Sequence, residues 1–211
     1  MDYLILVPFS YLMGSIPFGV LVGWVMKRVD IREHGSGNIG MTNVMRLAGV
    51  PAGIVVLALD MGKAALAVIL AMWLGSSSGV TTICALFVLA GHIWPIFIGF
   101  KGGRGTASGW AVLFVLSPIS GVVATMVALP MILITKYVSV GSIVGATAGG
   151  LTIAVLALSG HTETHYAWFG FIGTSLILLR HTENMKRLIF LLIETQLKSK
   201  LIIAMKTTHH K

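Results

Sequence analysis

From Val50 to Leu74 the chain carries only two charged side chains, Asp60 and Lys63, in a run long enough to cross a bilayer as one helix. A membrane-spanning helix needs about 20 predominantly apolar residues, with a range of roughly 17–25. Tyr3 to Met26, Val80 to Phe100 and Val138 to Leu158 have the same character. In lipid, each backbone N–H and C=O must be satisfied within the protein, so runs like these are expected to be helices. The whole chain supports that reading. Only 10% of its 211 residues are charged, where a soluble domain has about 25%. Its 25 glycines suit closely packed membrane helices.

The net charge of +8 would suggest nucleic acid in a soluble protein. In a membrane protein its first explanation is the positive-inside bias, with an anionic lipid or substrate second, and no nucleic-acid partner is expected. Cys84 is solitary, so the sequence holds neither a disulfide framework nor a cysteine metal site. Only Asp2 is charged ahead of the first apolar run, and that run is too long for a cleaved signal peptide, so it is expected to be a retained helix.

The stretch Thr106 to Thr135 reads either as one long tilted helix or as two short ones with a turn at Leu116-Ser-Pro-Ile-Ser-Gly121. Charge favours the second. With the N-terminus outside, two short helices put Lys27, Arg28, Arg32, Arg46, Lys101, Arg104, Lys136 and the basic C-terminus all inside. The expected architecture is an all-α polytopic membrane protein of seven transmembrane helices, two of them short, with the C-terminus cytoplasmic. Residues 1–187 form one membrane domain. Residues 188–211 form a basic cytoplasmic tail whose Lys198, Lys200, Lys206 and Lys211 contact anionic lipid.

Polar residues concentrate at four places on that inner face. Gly35 to Arg46 reads GSGNIGMTNVMR, too glycine-rich for a good helix and too polar for lipid. Ser36, Asn38, Thr42, Asn43 and Arg46 suit an anion, and equally suit a turn supported by asparagines. Lys101-Gly-Gly-Arg-Gly105 stands at the start of a helix, where glycine N–H groups and the helix dipole bind phosphate and arginine grips with two bonds. The same five residues also make a basic turn at the membrane edge. His181 and Asn184, three apart, share a helical face after the last apolar run, Tyr166 to Leu179. Ser139 and Ser142, also three apart, follow Lys136 and either cap a helix or add a hydroxyl to the site.

Asp60 and Lys63 lie on one face inside the second span, where ionisable groups are costly. They read as a neutralising pair, with Lys63 also a candidate to reach a phosphate. His92 reads as a structural hydrogen-bonding residue. His161, Glu163 and His165 read as an exposed outer loop. No carboxylate cluster of a two-metal phosphotransferase and no Ser-His-Asp set is present, and the one local metal candidate is the pair His161 and His165, four apart, set against its reading as loop composition.

Three segments together resemble the signature motifs of one family. They are Ser36-Gly-Asn-Ile-Gly-Met-Thr-Asn-Val-Met-Arg46, Gly91-His-Ile-Trp-Pro-Ile-Phe-Ile-Gly-Phe-Lys-Gly-Gly-Arg-Gly105 and Arg180-His-Thr-Glu-Asn-Met-Lys-Arg187. The family is the bacterial acyl-phosphate:glycerol-3-phosphate acyltransferases, PlsY. Leu59-Asp-Met-Gly-Lys63 and Lys136-Tyr-Val-Ser-Val-Gly-Ser142 are similar to further family segments, and the resemblance stops near Leu188. It implies seven transmembrane helices in the bacterial inner membrane with a cytoplasmic site. It implies transfer of a fatty acyl group from acyl-phosphate to the 1-hydroxyl of glycerol 3-phosphate, giving lysophosphatidic acid and phosphate, the first acylation of phospholipid synthesis. No cofactor and no obligate protein partner are implied beyond the two substrates and membrane lipid. It also implies site roles. Ser36, Asn38 and the backbone of Gly102, Gly103 and Gly105 would hold the acyl-phosphate. Arg46, Arg104, His181, Asn184, Lys101 and Ser142 would meet glycerol 3-phosphate. The substrate's own phosphate would aid deprotonation, with His181 the rival base.

Two positions depart from the family pattern. Arg104 stands where the family usually has lysine, which keeps the charge but changes the geometry. Ile39 and Met41 replace the more usual Pro and Ala. A transporter for an anionic metabolite is the rival from another class. It would show inverted repeats with broken helices near midplane, and the sequence shows neither.

Overall fold

The computed structural model describes residues 2–187 and 190, all of its regular structure helical. The expected tail, 188–211, lies outside the described residues except for Phe190. The chain divides into two units, Met1–Arg180 and His181–Lys211.

The first unit begins with α1 (Tyr3–Ser15) and α2 (Phe18–Lys27). Pro17 has no N–H to continue the helix, and Ile16 turns extended, so the first apolar run breaks there. After a single turn of 3-10 helix at Ile31–Glu33 come α3 (Met41–Ala48) and α4 (Val50–Leu74). Here the sequence expectation of a non-helical stretch up to Arg46 needs correction. Past Gly40 no glycine interrupts the chain until Gly49, and α3 lays Val44 and Leu47 against Ala52 and Val56 of α4. Next is α5 (Ser78–Ile93), shorter than the run ending at Phe100, because Pro95 cannot extend it. Ile96–Ile98 form a 3-10 turn instead.

The ambiguous stretch splits. α6 (Thr106–Leu116) and α7 (Pro118–Thr135) meet at Ser117, whose extended backbone caps α7 while Pro118 fills its first position. Ser117 Oγ accepts the Ser120 N–H at 3.4 Å. The break leaves α6 short at 11 residues but gives α7 a full 18. Lys136, left-handed at φ 61°, turns the chain into α8 (Val138–Leu158). The last apolar run is α9 (Tyr166–Trp168), a wider π-helical turn at Phe169–Gly173, and α10 (Thr174–Leu179). Among the described residues five helical segments are long and apolar enough to cross a membrane, and Thr106–Leu116 and Tyr166–Leu179 are shorter apolar helices.

Without water between helices, van der Waals contact and small residues govern their association. Gly141, Gly145 and Gly149 form such a stripe on α8. A Cβ on Gly145 would lie 2.7 Å from Ala128 Cβ, and one on Gly149 2.8 Å from Ala124 Cβ. The interior is filled by Val68, Val88, Leu89, Ile93, Val112 and Ile153. Large apolar side chains such as Val25, Trp73 and Ile134 are exposed on the outside, as lipid-facing surface requires. Helical hydroxyls satisfy themselves on carbonyls one turn back. Thr82 Oγ1 donates to Ser78 at 2.8 Å, Thr125 Oγ1 to Gly121 at 2.8 Å and Thr147 Oγ1 to Ile143 at 2.9 Å.

Candidate active site

The first loop is held from inside by one amide. Asn43, on the first turn of α3, is 1% exposed. Its Nδ2 donates to the carbonyls of Ile31 at 2.9 Å and His34 at 3.0 Å, and its Oδ1 accepts the Ser36 N–H at 3.0 Å. Gly35 has φ 61°, and a Cβ there would lie 2.4 Å from Asn43 Oδ1, so the turn requires glycine. Asn38 Oδ1 accepts the Gly40 N–H at 2.8 Å, closing a second turn. Ile31 and Ile39 anchor the loop in the apolar cluster below.

These bonds leave Ser36 exposed with its hydroxyl free of partners among the described residues, and Asn38 half-buried. Thr42 and Arg46 lie one helical turn apart, on one face of α3. Arg32 is committed elsewhere. Its Nη2 reaches Asp30 Oδ2 at 2.6 Å and its Nη1 the Ile98 carbonyl at 3.4 Å. That hydrogen bonding holds the Asp30 carboxyl below the usual carboxylate range and raises Arg32.

The second loop folds back onto the end of α5. Gly102 N–H donates to the Ile93 carbonyl at 3.2 Å and Gly103 N–H to the His92 carbonyl at 3.0 Å. These two amides therefore cap α5 and are not free for a ligand. Beyond them Gly105, at φ 83°, opens α6, whose first internal bond is Gly109 N–H to Gly105 at 2.7 Å. Among the described residues no acceptor takes the N–H groups of Arg104 and Gly105. They stand at a helix N-terminus, the arrangement that binds anions.

Arg104 is half-buried, and burial lowers its pKa, followed by the charges of Arg180 and then Arg46. All the charges that act on it are positive. Arg180, at the end of α10, also donates its Nε–H to the Gly103 carbonyl at 3.4 Å. Arg46 of α3, Arg104 in the loop before α6 and Arg180 just past α10 thus act on one another electrostatically, and the field at Arg104 favours an anion. Arg180 was not among the expected site residues. It reads in the sequence as a basic residue at a helix end, a common interfacial anchor.

The other candidates are placed as follows. Lys101 is exposed beside the loop. Lys63 is 4% exposed, and its Nζ meets Asp60 Oδ1 at 2.8 Å and the Ile16 carbonyl at 2.7 Å. Its ammonium ties α4 to the α1–α2 break, so of the two readings the neutralising pair is the observed one. Ser139 is half-buried and Ser142 buried on the first turns of α8, and among the described residues no hydrogen bond links either to the arginines. His181 and Asn184 belong to the second unit. There the His181 carbonyl accepts the Met185 N–H at 2.9 Å, beginning the helical turn 182–187. In the loop between α8 and α9, His161 Nδ1 pairs with Ser159 Oγ at 2.9 Å and His165 Nδ1 with Ser78 Oγ at 3.1 Å. Among the described residues no three His, Cys, Asp or Glu side chains gather as a metal site.

The model of the glycerol-3-phosphate acyltransferase family matches residues 4–190 of this sequence. The chain belongs to that family. It is 42% identical over 180 residues to a glycerol-3-phosphate acyltransferase of Desulforamulus reducens, covering 85% of this chain and 88% of that one. With the enzyme of the same name from Anaeromyxobacter sp. it shares 40% over 193 residues, 88% of this chain and 92% of the relative. It superposes with a TM-score of 0.82 and 37% identity on a crystal structure of PlsY (YgiH), an integral membrane glycerol 3-phosphate acyltransferase, in its glycerol 3-phosphate form, covering 90% of this chain and 93% of that one. The lysophosphatidic acid form of the same enzyme gives a TM-score of 0.81. The chain is therefore an acyltransferase of the PlsY family, with the apolar helices of a multi-pass membrane protein.

Proposed function

We propose that the chain moves a fatty acyl group from acyl-phosphate to the 1-hydroxyl of glycerol 3-phosphate, releasing phosphate and 1-acyl-glycerol 3-phosphate. The observation that carries this reading is that the positive charges of Arg46 and Arg180 both act on Arg104, whose N–H and that of Gly105 find no acceptor among the described residues. Two phosphorylated substrates bring negative charges that repel each other, and three cations beside one helix N-terminus offset that repulsion. An apolar crevice lined by Thr106, Gly109, Trp110, Leu113, Phe169 and Ile177 begins at the first residue of α6, next to Gly105. Its apolar lining matches the chemistry of the donor's hydrocarbon chain.

Acyl-phosphate is already activated, so no enzyme nucleophile is needed. The acceptor oxygen attacks the carbonyl carbon, the bond from that carbon to the phosphate oxygen breaks, and the hydroxyl proton leaves on a phosphate oxygen. The protein contributes orientation and charge stabilisation. In this reading Ser36, Asn38, Arg104 N–H and Gly105 N–H hold the donor phosphate. Arg46, Arg180, Lys101 and Ser142 meet the acceptor, with the Arg104 guanidinium beside them, and the family resemblance assigns His181 and Asn184 to the acceptor as well. Asn43, Gly102 and Gly103 serve by shaping the loops, Thr42 by presenting Arg46, and Ser139 by opening α8.

We also propose seven crossings, counting α1 with α2 as one, α4, α5, α6, α7, α8 and the run from α9 to α10. The positive-inside bias then sets the N-terminus outside and the site in the cytoplasm, at the inner membrane of a bacterium. Purified protein mixed with palmitoyl phosphate and glycerol 3-phosphate tests the chemistry. Acceptor-dependent release of phosphate is the expected result. Its absence across lipid and detergent conditions, with acyl transfer from another donor instead, would sink the acyl-phosphate reading. Labelling of single cysteines at Lys136 and His161 tests the crossings, and the two are expected on opposite sides.

A further inference from the structure

Beneath the second loop lies a buried polar group that the proposed reaction does not use. Asp60, Lys63 and His92 have side chains only 2–3% exposed. Lys63 Nζ is 2.8 Å from Asp60 Oδ1, and His92 Nδ1 is 3.6 Å from the same oxygen. The latter distance is too long for a hydrogen bond, and His92 Nδ1 has no hydrogen-bond partner among the described residues. The other edge of the ring lies against Gly103, where a Cβ would fall 2.2 Å from His92 Nε2. The His92 carbonyl also accepts the Gly103 N–H. Ser108 Oγ, on the first turn of α6, donates to the Asp60 carbonyl at 3.3 Å. The triad therefore touches the loop immediately before Arg104 and the helix immediately after it.

Ionisable groups within a membrane helix are expensive and need a reason. A simple core would fill this space with aliphatic side chains at no cost in charge. We propose that His92, braced by the Asp60–Lys63 pair, is a positioning residue for the anion site. Its ring lies against the Gly103 peptide and fixes the direction in which Arg104 N–H and the Arg104 guanidinium point. Gly103 is required because any side chain would displace that ring. The inference rests on the reading of Arg104 as part of the phosphate site.

The test uses the full-length protein in detergent, with inorganic phosphate as a competing probe. His92→Gln is expected to raise the KM for acyl-phosphate and the Ki of inorganic phosphate by about tenfold, the equivalent of about one hydrogen bond to a charged group. Its kcat should change less than KM, and its unfolding midpoint should stay close to that of the parent. Gly103→Ala is expected to lose activity, and His92→Ala in that background to recover part of it by freeing the space. An unchanged KM and Ki in folded His92→Gln overturn the proposal. So does a fall in midpoint with Ki unmoved, which marks His92 as merely structural. Arg104→Gln is measured in parallel. If it raises the Ki of phosphate while His92→Gln does not, the positioning role alone fails. If neither moves Ki, the reading of the anion site fails as well.

Discussion

Arg180 donates its Nε–H to the Gly103 carbonyl at 3.4 Å, joining residues 77 apart in sequence. That bond brings the end of α10 to the loop that precedes α6. The positive charge of Arg180, like that of Arg46, acts on Arg104. Arg180→Ala removes a cation and a hydrogen bond to a backbone carbonyl. We expect kcat/KM to fall about ten- to hundredfold, the loss of roughly 1.5–3 kcal/mol for a charge-assisted bond. Arg180→Lys should recover only part, because an ammonium lacks the planar fork. Steady-state kinetics with both substrates varied checks this, and parental kinetics in Arg180→Ala would remove it from the site.

Arg104 stands where the family usually has lysine. Burial and two like charges already disfavour its charged form, yet a guanidinium stays protonated across the working range. Arg104→Lys is therefore expected to retain activity within about tenfold, with the change mainly in KM, since the charge stays and the bidentate geometry goes. Arg104→Gln should lose more. A larger loss for lysine than for glutamine would show that shape, rather than charge, is what the position supplies.

Part of this architecture is legible from residues alone. The break at Ser117 follows from a serine able to cap and a proline unable to continue a helix, and the pattern of positive charge points to the same place. The two glycine loops are equally plain. What sequence does not show is where each polar group is consumed. Gly102 and Gly103 look like anion-binding amides, but both close the end of α5. Asn43 looks like a ligand, yet all three of its bonds go to its own loop. Lys63 finds its partner at Ile16, 47 residues away, because Pro17 interrupts the helix and leaves that carbonyl open to a side chain. Arg180 opens the third motif as a basic residue at a helix end, and only the helix packing brings it to Gly103.

Asn43 sets the shape of the first loop, so its replacement should act through order rather than chemistry. Asn43→Ala leaves the Ser36 N–H without its acceptor and takes one donor each from the Ile31 and His34 carbonyls, which still accept the His34 and Gly37 N–H groups. Each hydrogen bond lost costs about 0.5–1.5 kcal/mol. A lowered unfolding midpoint is expected together with a loss of kcat/KM. Asn43→Asp restores the acceptor but not the two donated bonds, so it should recover little. Retention of both midpoint and rate in Asn43→Ala would show that the loop is held by Ile31 and Ile39 alone.

The pair of Asp30 and Arg32 carries a pH dependence with a defined sign. The Arg32 hydrogen bonds hold the folded-state pKa of Asp30 below its ordinary value of 3.8. A depressed carboxylate stabilises the fold above its unfolded pKa, and that contribution is lost as pH falls through the folded value. Both side chains are partly exposed, at 36% for Arg32 and 27% for Asp30, so solvent screening limits the pair to about 0–1 kcal/mol. Asp30→Asn should thus lower the midpoint slightly at neutral pH and leave it unchanged in acid below the carboxylate range. A difference that persists or grows in acid would contradict the assignment.

Lys63 offers the sharpest test of the buried charges. It neutralises Asp60 at 2.8 Å with both side chains almost wholly enclosed. Lys63→Met leaves a carboxylate without its cation in the membrane interior and also deprives the Ile16 carbonyl of a donor. Breaking a buried pair from one side costs about 3–5 kcal/mol. Removing both charges together, in Lys63→Met with Asp60→Leu, eliminates the stranded carboxylate and should recover most of the lost stability. Unfolding midpoints of the two single variants and the double variant in one detergent give the coupling directly. A double variant no more stable than Lys63→Met alone would show that the donor to Ile16, rather than the ion pair, is what holds α4 against the α1–α2 break.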